Sequence, residues 1–302
     1  MADFTSSFWH WFVLIVTLVS ILGLFPLIFK NRGQKSDKPE TMGHVWDEDL
    51  EEYNNPLPGW WLNMFVITIL FGLVYLLLYP GLGTYAGILG WTQLKQLEQE
   101  NQQAKQVFGP IFERYAATEI KTLAKNPDAM RTGERLFANY CSVCHGSDAR
   151  GAIGFPNLRD NDWQWGGSPE QIKTTIGQGR MGVMPGWKAA LGGDDGVANV
   201  AEYVLSLSGR SHDAKKAEVG QEKFKQLCIA CHKADGTGNP ALGAPNLTDR
   251  IWLYGGSRKS VMQTIADGRQ GRMPPHDEFL GPDKVHLLAA YIYSLSAEYE
   301  HE

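Results

Sequence analysis

In the stretch "NYCSVCHGSDARG", residues 139–151, two cysteines are separated by two residues, and a histidine directly follows the second. The pattern recurs as "CIACH" at 228–232, and the two sets account for all four cysteines of the chain. No disulfide framework is therefore available. Three chemistries use thiols and imidazole at this spacing. A structural zinc site wants four ligands held locally, whereas each set offers two thiols and one His, and the sets lie 87 residues apart. A redox dithiol belongs beside a βαβ pattern, and no strands of that kind are legible. The third chemistry is covalent haem attachment, whose signature is C-x-x-C-H. In that reading Cys141 and Cys144, and again Cys228 and Cys231, add as thiols to the two vinyl groups of a haem c. His145 or His232 then brings its imidazole to the iron.

Such an iron needs a sixth ligand, and an internal repeat points to it. "GERLFANYCSVCHG" from 133 matches "GQEKFKQLCIACHK" from 220, and "PNLRDNDWQWGGS" from 156 matches "PNLTDRIWLYGGS" from 245. "TIGQGRMGVMPGW" from 175 matches "TIADGRQGRMPPH" from 264, and "EYVLSLS" from 202 matches "AYIYSLS" from 290. Two tandem domains of one fold follow. Met is the usual sixth ligand in electron-transfer cytochromes, where it raises the reduction potential. Met184 aligns with Met273, whereas Met181 aligns with Gln270, so Met184 and Met273 are the expected ligands. Met181 is left to loop packing and Met262 to the core. Each ligand Met lies about 40 residues beyond the His of its repeat, so the default geometry puts it on its own haem. Two similar domains packed face to face would also allow exchange, and both pairings stay open. With both axial positions filled on two irons, no substrate position is left, which points to electron transfer rather than catalysis.

Further candidates repeat as well. The carbonyls of Pro156 and Pro245 are placed to accept the Nδ1–H of the axial His and fix its tautomer. Arg180, Arg269, Trp163 and Trp252 are candidates to reach haem propionates, the alternative for the Trp pair being packing against the haem edge. His44, His212, His276, His286 and His301 have no repeat partner and read as surface residues.

The elements that must position these residues are short helices. Asn126 is an expected N-cap with Pro127 at the first helical position. Ser168, Pro169 and Gln171 form a capping-box-like start. A third helix is expected over 197–207, and Pro282 opens its equivalent in the second copy. The result is two small all-α domains, 128–211 and 212–302, joined by loops rich in Gly and Pro. Domains this small have thin cores and need a staple, which a large apolar cofactor supplies.

Upstream, residues 8–29 and 59–81 are two long apolar blocks, each near the roughly 20 residues that span a bilayer. Trp9, Trp11, Trp60, Trp61, Tyr75 and Tyr79 flank them as aromatic belts do. The first block lacks a positive n-region and an evident cleavage site, so it reads as a retained helix rather than a signal peptide. Lys30, Arg32, Lys35 and Lys38 follow it directly, which by positive-inside logic puts loop 30–59 in the cytoplasm. Both termini and both haem domains then face the periplasm. Residues 1–91 thus form a multi-pass inner-membrane anchor, with helices over about 8–29 and 60–80, and 92–127 a polar, partly helical stalk. From Lys95 onward 24 basic and 25 acidic residues nearly cancel. That argues against nucleic-acid binding, which needs a basic stripe. Five acids, Asp47, Glu48, Asp49, Glu51 and Glu52, crowd residues 47–52. They are either a solvated juxtamembrane face or a docking strip for a partner subunit.

The two repeats resemble class I c-type cytochrome domains. "WDEDLEEYNNPLPGWWLNMF", residues 46–65, is similar to the strip before the second helix in the dihaem CcoP/FixP subunit of bacterial cbb3-type cytochrome c oxidases. That resemblance implies an electron-transfer subunit with two haem c groups and no catalytic residue of its own. It implies relay from a periplasmic donor cytochrome c to a monohaem subunit and a haem–copper subunit that reduces oxygen. A free-standing, membrane-anchored dihaem carrier serving a periplasmic dehydrogenase is the alternative; the 46–65 strip argues against it, since a simple tether does not need that sequence.

Overall fold

The computed structural model describes residues 6–30, 32 and 40–297. Lys35, Lys38 and His301 lie outside the described residues. The chain divides into two compact units, one ending at Val107 and one beginning at Phe108.

In the first unit, α1 (Ser7–Lys30) is followed by the antiparallel ribbon β1 (Thr41–Trp46) and β2 (Leu50–Tyr53), then by α2 (Gly59–Leu78). At 1.5 Å per residue the two helices are about 36 and 30 Å long, enough to cross a hydrocarbon core of about 30 Å. Ile28 and Ile69 are their only buried residues, and many of the other apolar side chains are exposed, as lipid-facing side chains are. His10 Nδ1 accepts the backbone N–H of Thr84 at 2.9 Å. This bond joins the start of α1 to the segment after α2, so the helices run antiparallel, with the start of α1 and the end of α2 on the same side.

From α3 (Gln93–Ala116), which crosses into the second unit, the chain continues through α4 (Ile120–Leu123), α5 (Pro127–Tyr140), α6 (Ser142–His145), α7 (Pro169–Gln178), β3 (Arg180–Pro185) and α8 (Asp194–Leu207). The second repeat adds α9 (Ala214–Leu227), α10 (Ile229–His232), α11 (Arg258–Asp267), β4 (Gly268–Met273), α12 (Asp277–Leu280) and α13 (Pro282–Ala297). Local sequence sets the helix starts. The Asn126 side chain accepts from the N–H groups of Asp128 and Ala129, with Pro127 behind it. Ser168 and Gln171 form a reciprocal capping box, and Asp213 caps α9.

The repeats are tandem in sequence, but the two cores are not. One core gathers Phe137, Ala149, Leu158, Ile172 and Ile176 of the first copy with Val285, Leu287, Leu288, Ile292 and Leu295 of α13. The other gathers Phe224, Val261 and Ile265 of the second copy with Val197, Val200, Ala201, Val204 and Leu205 of α8. Each last helix has therefore changed places. Small residues permit the crossings. A Cβ on Gly133 of α5 would lie 2.7 Å from the Tyr291 Cβ, and one on Gly220 of α9 would lie 2.0 Å from the Asn199 carbonyl oxygen. Tyr291 and Tyr203 then pack their rings 5.7 and 5.1 Å from Phe137 and Phe224. In the second core Glu202 of α8 is buried, pairs with Arg258 of α11 and accepts the Asp213 N–H at 2.8 Å.

Between the cores, β3 and β4 pair antiparallel with Arg180 opposite Met273, Gly182 opposite Gly271 and Met184 opposite Arg269. Strand alternation puts these six residues on one, inward face.

Three expectations need correcting. The 92–127 segment reads as a surface connector, yet Tyr115, Ile120 and Leu123 are buried in the first core; their spacing was masked by the polar run before them. His286 is buried, not on the surface, with Nε2 2.8 Å from the Thr118 carbonyl and Nδ1 3.3 Å from Lys173 Nζ. His276 is half-buried, its backbone N–H donated to the carbonyls of Ile176 and Gly177 and its Nδ1 enclosed without a hydrogen-bond partner.

Candidate haem-attachment sites

Each C-x-x-C-H motif is one turn of helix laid on the end of a longer one. The N–H groups of Cys144 and His145 reach the Cys141 carbonyl at 3.2 and 3.0 Å, and those of Cys231 and His232 reach Cys228 at the same distances. The turn presents two thiols and an imidazole together, the second Cys of each pair exposed and the first half-buried. Burial, then the neighbouring second thiol, pushes Cys141 and Cys228 up to about 11. A nucleophilic dithiol has its attacking thiol pulled down, whereas Cys141 and Cys228 are shifted the other way. Among the described residues no three His, Cys, Asp or Glu side chains gather as metal ligands.

His145 and His232 are each 8% exposed. Nδ1 lies 3.1 Å from the Pro156 carbonyl in the first and 3.2 Å from the Pro245 carbonyl in the second. A carbonyl can only accept, so Nδ1 carries the hydrogen and Nε2 presents its lone pair. Burial lowers both histidines below the ordinary imidazole value, against the opposing pull of the proline carbonyls, and His276 lowers His145 further. Both are thus neutral in the physiological range, the state a metal ligand needs.

The methionines cross over. Met273 packs in the first core with Cys141 and Trp163, and Met184 packs in the second with Cys228 and Trp252. Each core thus takes in the first Cys of one repeat and the Met of the other. Met181 points the opposite way, 62% exposed. Arg180 Nε donates to Thr175 Oγ1 and Arg269 Nε to Thr264 Oγ1, both at 2.9 Å. Their guanidinium carbons sit 5.2 Å over the Trp165 ring and 4.7 Å over the Tyr254 ring. Trp252 has a buried Nε1–H with no partner, and the Arg210 guanidinium lies 5.7 Å over its ring. Arg210 was not singled out in the sequence, because it falls in the linker after "SLSG", where the second copy runs out.

These features fit a haem c. The thiols are paired and protonated, the imidazole is neutral and oriented, a thioether packs nearby, and an indole N–H is buried without an acceptor of its own.

Comparison with known proteins decides the family. Residues 128–204 and 215–292 match the family model of cytochrome c oxidase, cbb3-type, subunit III, and residues 38–86 match the N-terminal domain of cytochrome oxidase-cbb3, FixP. The chain belongs to the CcoP/FixP family. It is 48% identical over 297 residues to a cbb3-type cytochrome c oxidase subunit CcoP of Rubrivivax gelatinosus, covering 98% of this chain and 97% of the relative. A CcoP of Cereibacter sphaeroides is 37% identical, over 87% of this chain and 96% of its own. A FixP of Azorhizobium caulinodans is 38% identical, over 85% and 93%. As a member of this family the chain is a c-type cytochrome subunit of a cbb3-type oxidase, a haem-binding part of an oxidoreductase complex. The N-terminal match includes α2 and the ribbon, so the 46–65 strip is part of the family's own pattern.

Proposed function

We propose that this chain is the dihaem relay of its oxidase. It would pass electrons from a periplasmic donor cytochrome c to the monohaem and haem–copper subunits, where oxygen is reduced and protons are pumped. The observation that carries the reading is that each core takes in the first Cys of one motif and the Met of the other repeat, while the buried His of each motif sets its Nδ1 on a proline carbonyl. A haem c bound there supplies reversible one-electron chemistry at iron.

The chain's own residues do the rest. Cys141 and Cys144 would hold one such group, and Cys228 and Cys231 another, through thioether bonds. His145 and Met273 would hold one group, and His232 and Met184 the other. Pro156 and Pro245 hold the imidazoles in the Nδ1–H tautomer. Trp252 Nε1, and Arg180 and Arg269 on the ribbon, are suited to receive propionates. A group held by both a His and a Met would have no position left for a substrate, which favours transfer over catalysis. The anchor is assigned two inner-membrane spans with loop 30–59 in the cytoplasm, supported by the basic run after α1 and by the antiparallel pairing. The haem-bearing unit is then periplasmic. The family's N-terminal match favours this over a free-standing carrier.

Purification in mild detergent tests the reading. Two haems c per chain by pyridine haemochrome, with haem b, copper and oxygen consumption in the same fraction, are expected. A chain that runs alone, or a count other than two, would falsify it.

A further inference from the structure

The ribbon β1–β2 has no core of its own. All ten of its residues are exposed, including Met42, Val45, Trp46, Leu50 and Tyr53. Trp46 stands opposite Leu50, and the His44 ring lies 4.4 Å from the Trp46 ring. A two-stranded hairpin by itself is at best marginally stable in water, so its exposed apolar side chains, Trp46 and Leu50 together on one face, are suited to being covered. Its tip is more telling. Asp47 and Glu48 have φ of 44° and 72°, a pair of left-handed residues that normally favours Asn and Gly. Glu is a poor choice for that conformation on steric grounds. Asp47 suits its position, but Glu48 is placed where turn geometry would not select it. Asp47, Glu48, Asp49, Glu51 and Glu52 form no ion pair with any described residue.

Position narrows what covers the ribbon. Five residues, 54–58, separate β2 from the start of α2. They reach at most about 17 Å, so the ribbon stays at the foot of the membrane helix. The cytoplasmic leaflet is anionic and would repel this tip. The cytoplasmic loops of polytopic membrane proteins carry an excess of Lys and Arg and would attract it.

We propose that the hairpin 40–53 docks onto a Lys/Arg-rich cytoplasmic loop of a polytopic membrane subunit of the same oxidase, Trp46 and Leu50 packing against it and the acids pairing with its bases. The inference rests on the oxidase reading and on the cytoplasmic placement of loop 30–59.

The test uses the full chain in its native membrane, tagged at the C-terminus. Asp47→Asn, Glu48→Gln, Asp49→Asn, Glu51→Gln and Glu52→Gln are introduced together. In mild detergent the wild type should carry haem b and copper, and the variant should lose them about tenfold while keeping its membrane location and haem c. If the wild type carries neither, the oxidase reading fails and the partner with it. If the variant retains the wild-type ratio, the docking surface alone is overturned. A variant that fails to accumulate is replaced by Glu48→Cys treated with a thiol-to-amine cross-linker in intact membranes. An adduct to a lysine in a cytoplasmic loop of a copurifying membrane subunit is expected. No adduct, or one confined to this chain or to lipid amines, overturns the proposal.

Discussion

The two cores of the haem-bearing unit share a repeat but are assembled from the chain in different ways. The second core is contiguous, from Met184 to Ala266. The first is split, with Phe112–Ile176 on one side and Met273–Leu295 on the other. One is nested inside the other. The reason lies in a linker. Six residues, 208–213, join α8 to α9, and helices joined so closely pack as antiparallel neighbours. Once α8 is on α9, the first core is left without a last helix until α13 arrives from the end of the chain. The nested core makes sequence-local contacts, and the outer core waits for a long-range one.

Removing residues 275–302 breaks this comparison most severely. The first core loses seven buried residues of α13, and burial of each large apolar side chain is worth about 2 kcal/mol. That exceeds the margin of an ordinary domain. Haem staining and proteolysis should show the first motif lost and the second intact; equal loss of both would refute nesting. Next in size are Gly133→Ala and Gly220→Ala. Each should cost about 1–3 kcal/mol in its own core, more at Gly220, where the obstacle is a backbone carbonyl. Thermal unfolding followed separately at each haem would distinguish them. Glu202→Ala should cost about 2 kcal/mol in the second core only, since the aligned residue in α13 is Ala290, as urea titration can check.

The smallest effect concerns the face between repeats. Burial, then Asp249 and Asp160, pushes the Asp162 carboxyl from 3.8 to about 6. Its native value lies above the unfolded one, so folding favours the protonated form. The contribution of this carboxyl to stability should be greatest below about pH 4 and be lost as pH rises to about 6. Asp162→Asn should recover about 1 kcal/mol above that range, after allowance for partial exposure, and nothing at pH 4.

Much of this was legible in the sequence. The motifs, the repeat, the caps at Asn126 and Ser168 and the two apolar helices are local patterns, and local patterns survive in one dimension. The exchange of α8 and α13 was not legible, because each copy presents the same apolar stripe to either neighbour. The six-residue linker was the available signal. His286 looked like a surface residue for want of a repeat partner, yet its burial comes from Lys173 and Thr118, both distant in sequence. The ribbon β3–β4 was hidden by Gly-rich loops, and its alternation is what turns Met184 inward and Met181 outward.

The crossing of the methionines is the central claim, and one pair of variants tests it. In the chain carrying Cys141→Ala and Cys144→Ala, only the haem at Cys228 and Cys231 remains. Met184→Leu in that background should abolish the Met–iron signature in paramagnetic NMR and lower the reduction potential, whereas Met273→Leu should leave both unchanged. The reverse pattern would contradict the account.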